Sequence, residues 1–429
     1  MSGGWTSPTI PKLISNTSYI PMTFEEASWF TVLHPLGSLV SPIFLMMANR
    51  IGRKLALLFI PIPQFLSWLI IAFSTTSVHL YISRIVAGVS DASLFTFLPI
   101  YLSEITEPKV RGRWSCSLMV LLYFGQVVIN ATGSYLGIRT TAWVAAALSL
   151  VGFLIILLVP ESPYFLLMRG RKEEAEKSLK FLRWRNDVGK EITQISSDVQ
   201  RQLTERGRLR DLFIIKSNLR ALLICMKIRL SQQMSGMVAF IFYSQTIFKE
   251  AGGDIHQSIS SIIFMSLMTI MSCLGASFID KFGRKPLFIG STLECGTSLL
   301  ILSVYFYVKE YTSINVDSFN WIPLIGMLLF VLGSGFGLNI VPTVLLGEMF
   351  PVSVKEKALC ILTCFFGLCV MLVAKLFQIL LQTTGLFGTF LLFCICCYVS
   401  AITNYFVLIE TKGKTLEDIQ QELKGSYLR

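Results

Sequence analysis

A short basic string occurs twice between long apolar runs: Asn49-Arg50-Ile51-Gly52-Arg53-Lys54 returns 231 residues later as Asp280-Lys281-Phe282-Gly283-Arg284-Lys285. Other marks repeat at a similar offset. Glu104, followed seven residues on by Arg111, is matched 244 residues later by Glu348, followed by Lys355. Pro160-Glu161-Ser162-Pro163 has its counterpart in Glu410-Thr411-Lys412-Gly413. A chain that repeats itself at this period across apolar runs is restricted to two related helix bundles, and in a membrane that is the pattern of a carrier working by alternating access.

Composition places those bundles in a bilayer. Of 429 residues, 53% are hydrophobic and only 15% charged, against about 25% charged in a soluble domain. Apolar runs at 28–47, 55–73, 79–102, 115–136, 142–159, 221–248, 258–279, 287–308, 322–346, 357–381 and 386–408 each approach the ~20 residues that cross a membrane. Eleven expected spans is an odd count for a duplicated bundle. The second half opens with 221–248, and its first-half partner would fall almost wholly before Met1. The first helix is therefore expected to be absent or reduced to its last turn. Gly4 to Leu13 then reads as the loop after it, with no apolar core before it to make a signal peptide. The expected divisions are a first bundle at 1–159, a linker with short solvated helices at 160–220, a second bundle at 221–409 and a tail at 410–429.

The net charge of +11 follows topology. Residues 160–220 hold 14 Lys plus Arg against 9 Asp plus Glu, and the turns at 49–54, 108–113, 281–285 and 355–357 are also basic. Alternate loops at 74–78, 249–257 and 309–321 are poor in basic residues, so the basic loops are expected in the cytoplasm. Nucleic acid is not an expected partner, because no basic face is interleaved with exposed aromatics. Asn16-Thr17-Ser18 fits a glycosylation acceptor, which puts the N-terminus outside. The ten cysteines lie in or beside expected spans, in no metal-ligand pattern, and His34, His79 and His256 read as scattered near outer ends. No metal, no cofactor and no catalytic constellation is expected.

Taken in order, several motifs resemble the sugar-porter branch of the major facilitator superfamily. They are Gly52-Arg53-Lys54, Arg84-x-x-x-Gly88, Pro99-x-Tyr101-x-x-Glu104, Arg111-Gly112, Glu161-Ser162-Pro163, Gln232-Gln233-x-Ser235-Gly236, Gly283-Arg284-Lys285, Gly347-Glu348-Met349-Phe350-Pro351 and the run from Glu410 to Glu417. Within that branch, Trp5-Thr6-Ser7-Pro8, Lys375-Leu376-Phe377 and Gly388-Thr389-Phe390 are most similar to insect facilitated trehalose transporters. The resemblance implies an all-α membrane protein with the major facilitator fold, eleven of its usual twelve transmembrane helices being expected here. It implies facilitated diffusion of trehalose or a hexose across the plasma membrane. The other readings are a non-transporting truncated isoform or sugar sensor, and a proton-coupled sugar symporter. Oligomeric state is not legible.

The resemblance also assigns residues. Arg53, Glu104, Arg111 and Glu161 would clamp the first half, and Asp280, Arg284, Glu348, Lys355 and Glu410 the second, in pairs that hold the outward-open state. Setting topology alone is the competing role. Gln126, Gln232, Gln233 and Thr343 fall at sugar-binding positions, with Tyr243 and Pro342 at gates; for the glutamines, interhelical hydrogen bonding is the alternative. Other positions depart from the family: its Arg after Glu-Ser-Pro is Tyr164, its Asn positions are Val238 and Met268, and polar sites on the next-to-last helix are Phe366 and Gly367. The substrate is therefore expected to differ, to be less polar, or not to exist. Two acids lie deep in spans, Asp91 and Glu294. Asp91 could pair with Arg84 seven residues before it, stand in for a group on the missing helix, or couple protons.

Overall fold

The computed structural model describes the chain apart from residues 1, 16–17, 108–110, 205–206, 252–255, 315–316, 415 and 425–429. The side chains at 48–49, 111–116, 198, 201–204, 276–280, 317, 352 and 416–417 are also outside the description. Among the described residues the secondary structure is helical throughout. The first half holds α1 (Thr6–Ile14), α2 (Phe24–Leu36), α3 (Ser41–Ile51), α4 (Arg53–Leu58), α5 (Pro61–Ala72), α6 (Ser77–Ile105), α7 (Arg111–Tyr135) and α8 (Ile138–Leu158). Four helices follow in the linker: α9 (Pro163–Met168), α10 (Lys172–Arg183), α11 (Gly189–Thr204) and α12 (Asp211–Ile214). The second half holds α13 (Lys216–Gln233), α14 (Met237–Ala251), α15 (Gln257–Phe282), α16 (Arg284–Tyr311), α17 (Ile322–Gly333), α18 (Val341–Glu348), α19 (Val352–Val407) and α20 (Leu416–Lys424).

Nine stretches among the described residues are long and apolar enough to cross a membrane. The difference from the expected spans has two local causes. The run at 221–248 breaks at Met234–Gly236 into α13 and α14, and neither part alone is a full apolar span. The runs at 357–381 and 386–408 are merged in α19, with Gly385 at φ 67° as the break between them.

The segment from Gly4 to Leu13 is not a loop, contrary to expectation. Thr6–Ile14 is a helix docked on α14, α7 and α2, with Trp5, Ile10 and Leu13 fully buried. Trp5 stands edge-on to Trp68 at 5.2 Å and tilted on Phe30 at 5.8 Å. That aromatic burial outweighs the turn-forming Ser and Pro residues of the segment.

The two halves meet along α1 with α14, α7 with α15, and α2 and α3 with α19. Within the first half, α2 and α6 cross almost backbone to backbone. A β-carbon on Gly88 would lie 1.9 Å from the His34 carbonyl, and one on Gly37 2.0 Å from the Gly88 carbonyl carbon. Only residues without a side chain allow that approach, and it sets His34 of α2 beside the next turn of α6. The linker has a small core of its own: Leu166, Ala175, Leu179, Val188, Ile192 and Ile195 pack together. It is tied to the first half by Arg183, whose Nη1 donates to the Ile105 carbonyl at the end of α6 at 2.9 Å. It reaches the second half where Lys357 Nζ donates to the Gly207 carbonyl at 2.9 Å.

Candidate functional site

At the basic ends the two halves build the same cluster from the same local sequence. Gly52 and Gly283 take φ of 108° and 88°, a left-handed turn that ends one helix and opens the next. Each turn points two backbone N–H groups at a carboxylate. Arg53 and Lys54 donate to Glu161 Oε1 at 2.9 and 3.0 Å, and Arg284 and Lys285 donate to Glu410 Oε1 and Oε2 at 3.0 Å. The guanidinium then reaches a second carboxylate: Arg53 Nη2 lies 3.0 Å from Glu104 Oε1, and Arg284 Nη2 lies 2.8 Å from Glu348 Oε1. A hydroxyl closes each set, Ser162 to Glu104 and Thr411 to Glu348. The two differ in depth. Side-chain exposures are 3% and 13% for Arg53 and Glu104, against 11% and 28% for Arg284 and Glu348.

Of the remaining clamp residues, Lys355 donates to the Gly347 carbonyl at 2.8 Å, at the end of α18. The side chains of Arg111 and Asp280, and Asn16 entirely, lie outside the described residues. Outside the spans, Glu410 is the acid with a resolved shift in these clusters. Burial pushes its carboxyl up, but backbone N–H donors at Arg284, Lys412, Lys285 and Thr411 outweigh that and hold it below the usual carboxylate range.

Away from the basic ends, polar atoms from both halves are buried without partners among the described residues. Gln126 Oε1 on α7, Gln233 Oε1 on α13, Asn339 Nδ2 before α18 and Gln378 Oε1 on α19 are enclosed and unbonded. Gln126 lies against the start of the chain, where a β-carbon on Gly4 would meet its Cβ at 2.9 Å. Gln232 is engaged instead, accepting from Arg229 Nη1 at 2.9 Å, with Nε2 directed at the Asn339 carbonyl at 3.5 Å. Thr343 Oγ1 accepts from Arg229 Nη2 at a long 3.4 Å. Tyr243, at a kink in α14, stacks on Phe377 of α19 at 4.8 Å, and Pro342 is buried at the start of α18. The aromatic pair thus bridges α14 and α19, while the orphaned amides are spread over α7, α13, the segment before α18 and α19, where Gln378 follows Phe377 in the chain.

Of the roles open to Asp91, a direct pair with Arg84 is not made. Seven residues on one helix separate side chains by about two turns, ~10 Å, and closer partners intervene. Asp91 Oδ2 lies 3.1 Å from His34 Nε2 and accepts from Ser2 Oγ at 3.0 Å. Arg84 donates to the Ser2 carbonyl at 2.8 Å and to Thr6 Oγ1, beneath the Phe30 ring at 4.0 Å. His34 is therefore a buried mid-span residue, not one at an outer end. Arg229, His34, Asn339 and Gln378 were not legible as site residues. For the first two the signal was a basic or titratable side chain inside an expected span.

With this geometry in place, comparison with known proteins is direct. A family model described as "Sugar (and other) transporter" matches residues 13–423. Facilitated trehalose transporter Tret1 of Bombyx mori is 32% identical over 431 residues, covering 100% of this chain and 84% of that protein. The Tret1 of Apis mellifera ligustica is 32% identical over 435 residues, covering 100% and 86%. Among solved structures, the inward-open xylose transporter XylE from E. coli aligns with a TM-score of 0.79 at 20% identity, over 98% of this chain and 95% of that one. XylE bound to 6-bromo-6-deoxy-D-glucose aligns with a TM-score of 0.77 at 22% identity, over 98% and 97%. At those identities the likeness carries the fold: two pseudo-symmetric bundles of the major facilitator type.

Proposed function

The chain belongs to the sugar transporter family, and on that premise we propose that it carries a sugar across the plasma membrane by facilitated diffusion, its two halves alternating access to one central site. The observation that carries this reading is the set of orphaned amides. An enclosed amide oxygen without a donor costs about 1–3 kcal/mol. Gln126, Gln233, Asn339 and Gln378 leave donors and acceptors free on helices of both halves. A polyhydroxylated ligand is the chemistry that satisfies such a mixed set, with Tyr243 and Phe377 as an apolar wall. Trehalose and hexoses are the first candidates, since trehalose transporters are among the relatives that align over the whole of this chain.

The charge clusters supply the switch in this proposal. Arg53 with Glu104 and Arg284 with Glu348 hold the basic ends together in one state and part in the other, with Arg111, Asp280 and Lys355 as further members. The direct test is uptake of radiolabelled trehalose and glucose by proteoliposomes of the full chain. Saturable, mutually competing uptake is expected, with Gln233→Leu and Gln378→Leu each raising the half-saturation concentration about tenfold. Non-saturable entry equal to that of empty liposomes would end the reading. A second reading, coupling to protons, has one observation in its favour: the intramembrane His34–Asp91 pair bridged by Ser2. It requires uptake to rise in an inward proton gradient and to lose that rise in Asp91→Asn.

A further inference from the structure

Arg229 is a cation placed in the proposed site with only neutral partners. Its helix face is set by spacing: Cys225, Arg229 and Gln232 recur at four and three residues, so all three point the same way. Cys225 and Gln232 on that face are buried, and Arg229 reaches past them toward α18 and α19. Its guanidinium meets Gln232 Oε1 and Thr343 Oγ1, and lies over the Phe366 ring at 5.1 Å. Tyr123, on α7 of the opposite half, and Cys225 are near enough to feel its charge. The guanidinium is therefore held among α13, α18 and α19. Among the described residues no carboxylate pairs with it, and its Nε–H is enclosed without an acceptor.

The first half provides the control. Arg84 is just as deep, but it is fully enclosed, capped by Ser2 and Thr6 and covered by Phe30 and Trp5. Arg229 is only half-buried and has no such enclosure. An unbalanced cation inside a membrane bundle is costly enough to be a functional feature by default. Its planar fork presents parallel N–H groups matched to a carboxylate or a phosphate. The Thr343 contact, at 3.4 Å, is at the outer limit of a hydrogen bond and easily given up. Phe366 stands where the sequence suggests a lost polar contact, and here it supports the guanidinium from below.

We infer that the central site takes an anionic sugar, one whose ring hydroxyls meet the orphaned amides while a carboxylate or phosphate binds the Arg229 fork. This rests on the proposed sugar-carrier reading and narrows its substrate class. The test is competition in proteoliposomes of the full chain, with glucose, glucuronate and glucose 6-phosphate each displacing a labelled sugar that the protein takes up. At least one of the two acids is expected to compete about tenfold better than glucose, and which one does so identifies the anion. Arg229→Gln should bring acid and neutral sugar to the same half-inhibition, and Arg229→Lys, which keeps the charge without the fork, should retain part of the preference. Equal competition by all three in the wild type, or a preference that survives Arg229→Gln, overturns the inference while leaving the sugar-carrier reading standing. No displaceable uptake of any of them overturns both. Should Arg229→Gln fail to fold, the wild-type ranking together with Arg229→Lys decides.

Discussion

The basic ends of the two halves are near copies, and their centres are not. At the ends, one sequence device is used twice: a left-handed Gly, two N–H groups on one carboxylate, a guanidinium on the next, and a hydroxyl to close. At the centre, the first half encloses its arginine with rings and a main-chain carbonyl, whereas the second leaves its arginine half-buried among neutral groups. On the proposed function, the repeated part is the one assigned to switching, which must work the same way on both sides. The divergent part is the one assigned to a ligand, and a ligand has no two-fold symmetry to impose.

The comparison breaks most severely at the crossing that sets His34 beside Asp91. A side chain at Gly88 would be driven into the His34 carbonyl, 1.9 Å from the first carbon added, where no side chain can rotate away. Gly88→Val should exceed the usual ~1–3 kcal/mol of overpacking and yield no monodisperse protein in detergent, read by size-exclusion chromatography. Smaller, and a sharper test of the repeated ends, is the pair Arg53→Ala and Arg284→Ala. Removing one member of a buried pair strands the other at about 3–5 kcal/mol. Since Glu104 is about half as exposed as Glu348, Arg53→Ala should lower the thermal unfolding midpoint further than Arg284→Ala. Both should move cysteine labelling from the outer to the basic face, if the clusters act as the switch. Equal destabilisation with unchanged labelling would make them topological anchors only.

Much of this was legible because the chain repeats itself. Gly52-Arg53 and Gly283-Arg284 mark helix-to-helix turns by residue type alone, and the acids they engage recur at a similar offset. Residues chosen by tertiary contact were not. α1 reads as a loop because its Ser, Thr and Pro content hides a helix whose stability comes from burying Trp5 and Leu13 against other helices. Asp91 had an obvious partner on its own helix and took another on α2, because the Gly37–Gly88 crossing brings His34 closer than two helical turns allow Arg84 to come. Arg229 sits in the middle of a run whose amides drew attention first. Asn339 and Gln378 stand outside any motif, and only enclosure without partners marks them.

The smallest effect expected concerns the tail of the second cluster and its dependence on acid. Glu410 is held below the ordinary carboxylate range by backbone N–H donors that exist only when the Gly283 turn and the Thr411–Lys412 segment are folded. A group whose folded value is depressed binds protons more readily unfolded, so its contribution is complete above the unfolded carboxylate value, about 4.3. It is lost as pH falls through the folded value. The unfolding midpoint of the wild type should therefore lead that of Glu410→Gln by a constant margin from about pH 7 down to about pH 5, and the two curves should converge on further acidification. Glu410 is only partly buried and the margin will be modest, so the shape of the difference decides and its size does not. Curves that stay parallel into acid would mean that the turn is held by Gly283 and the Arg284–Glu348 pair without help from this carboxylate, and the likeness between the two ends would then stop at the guanidinium.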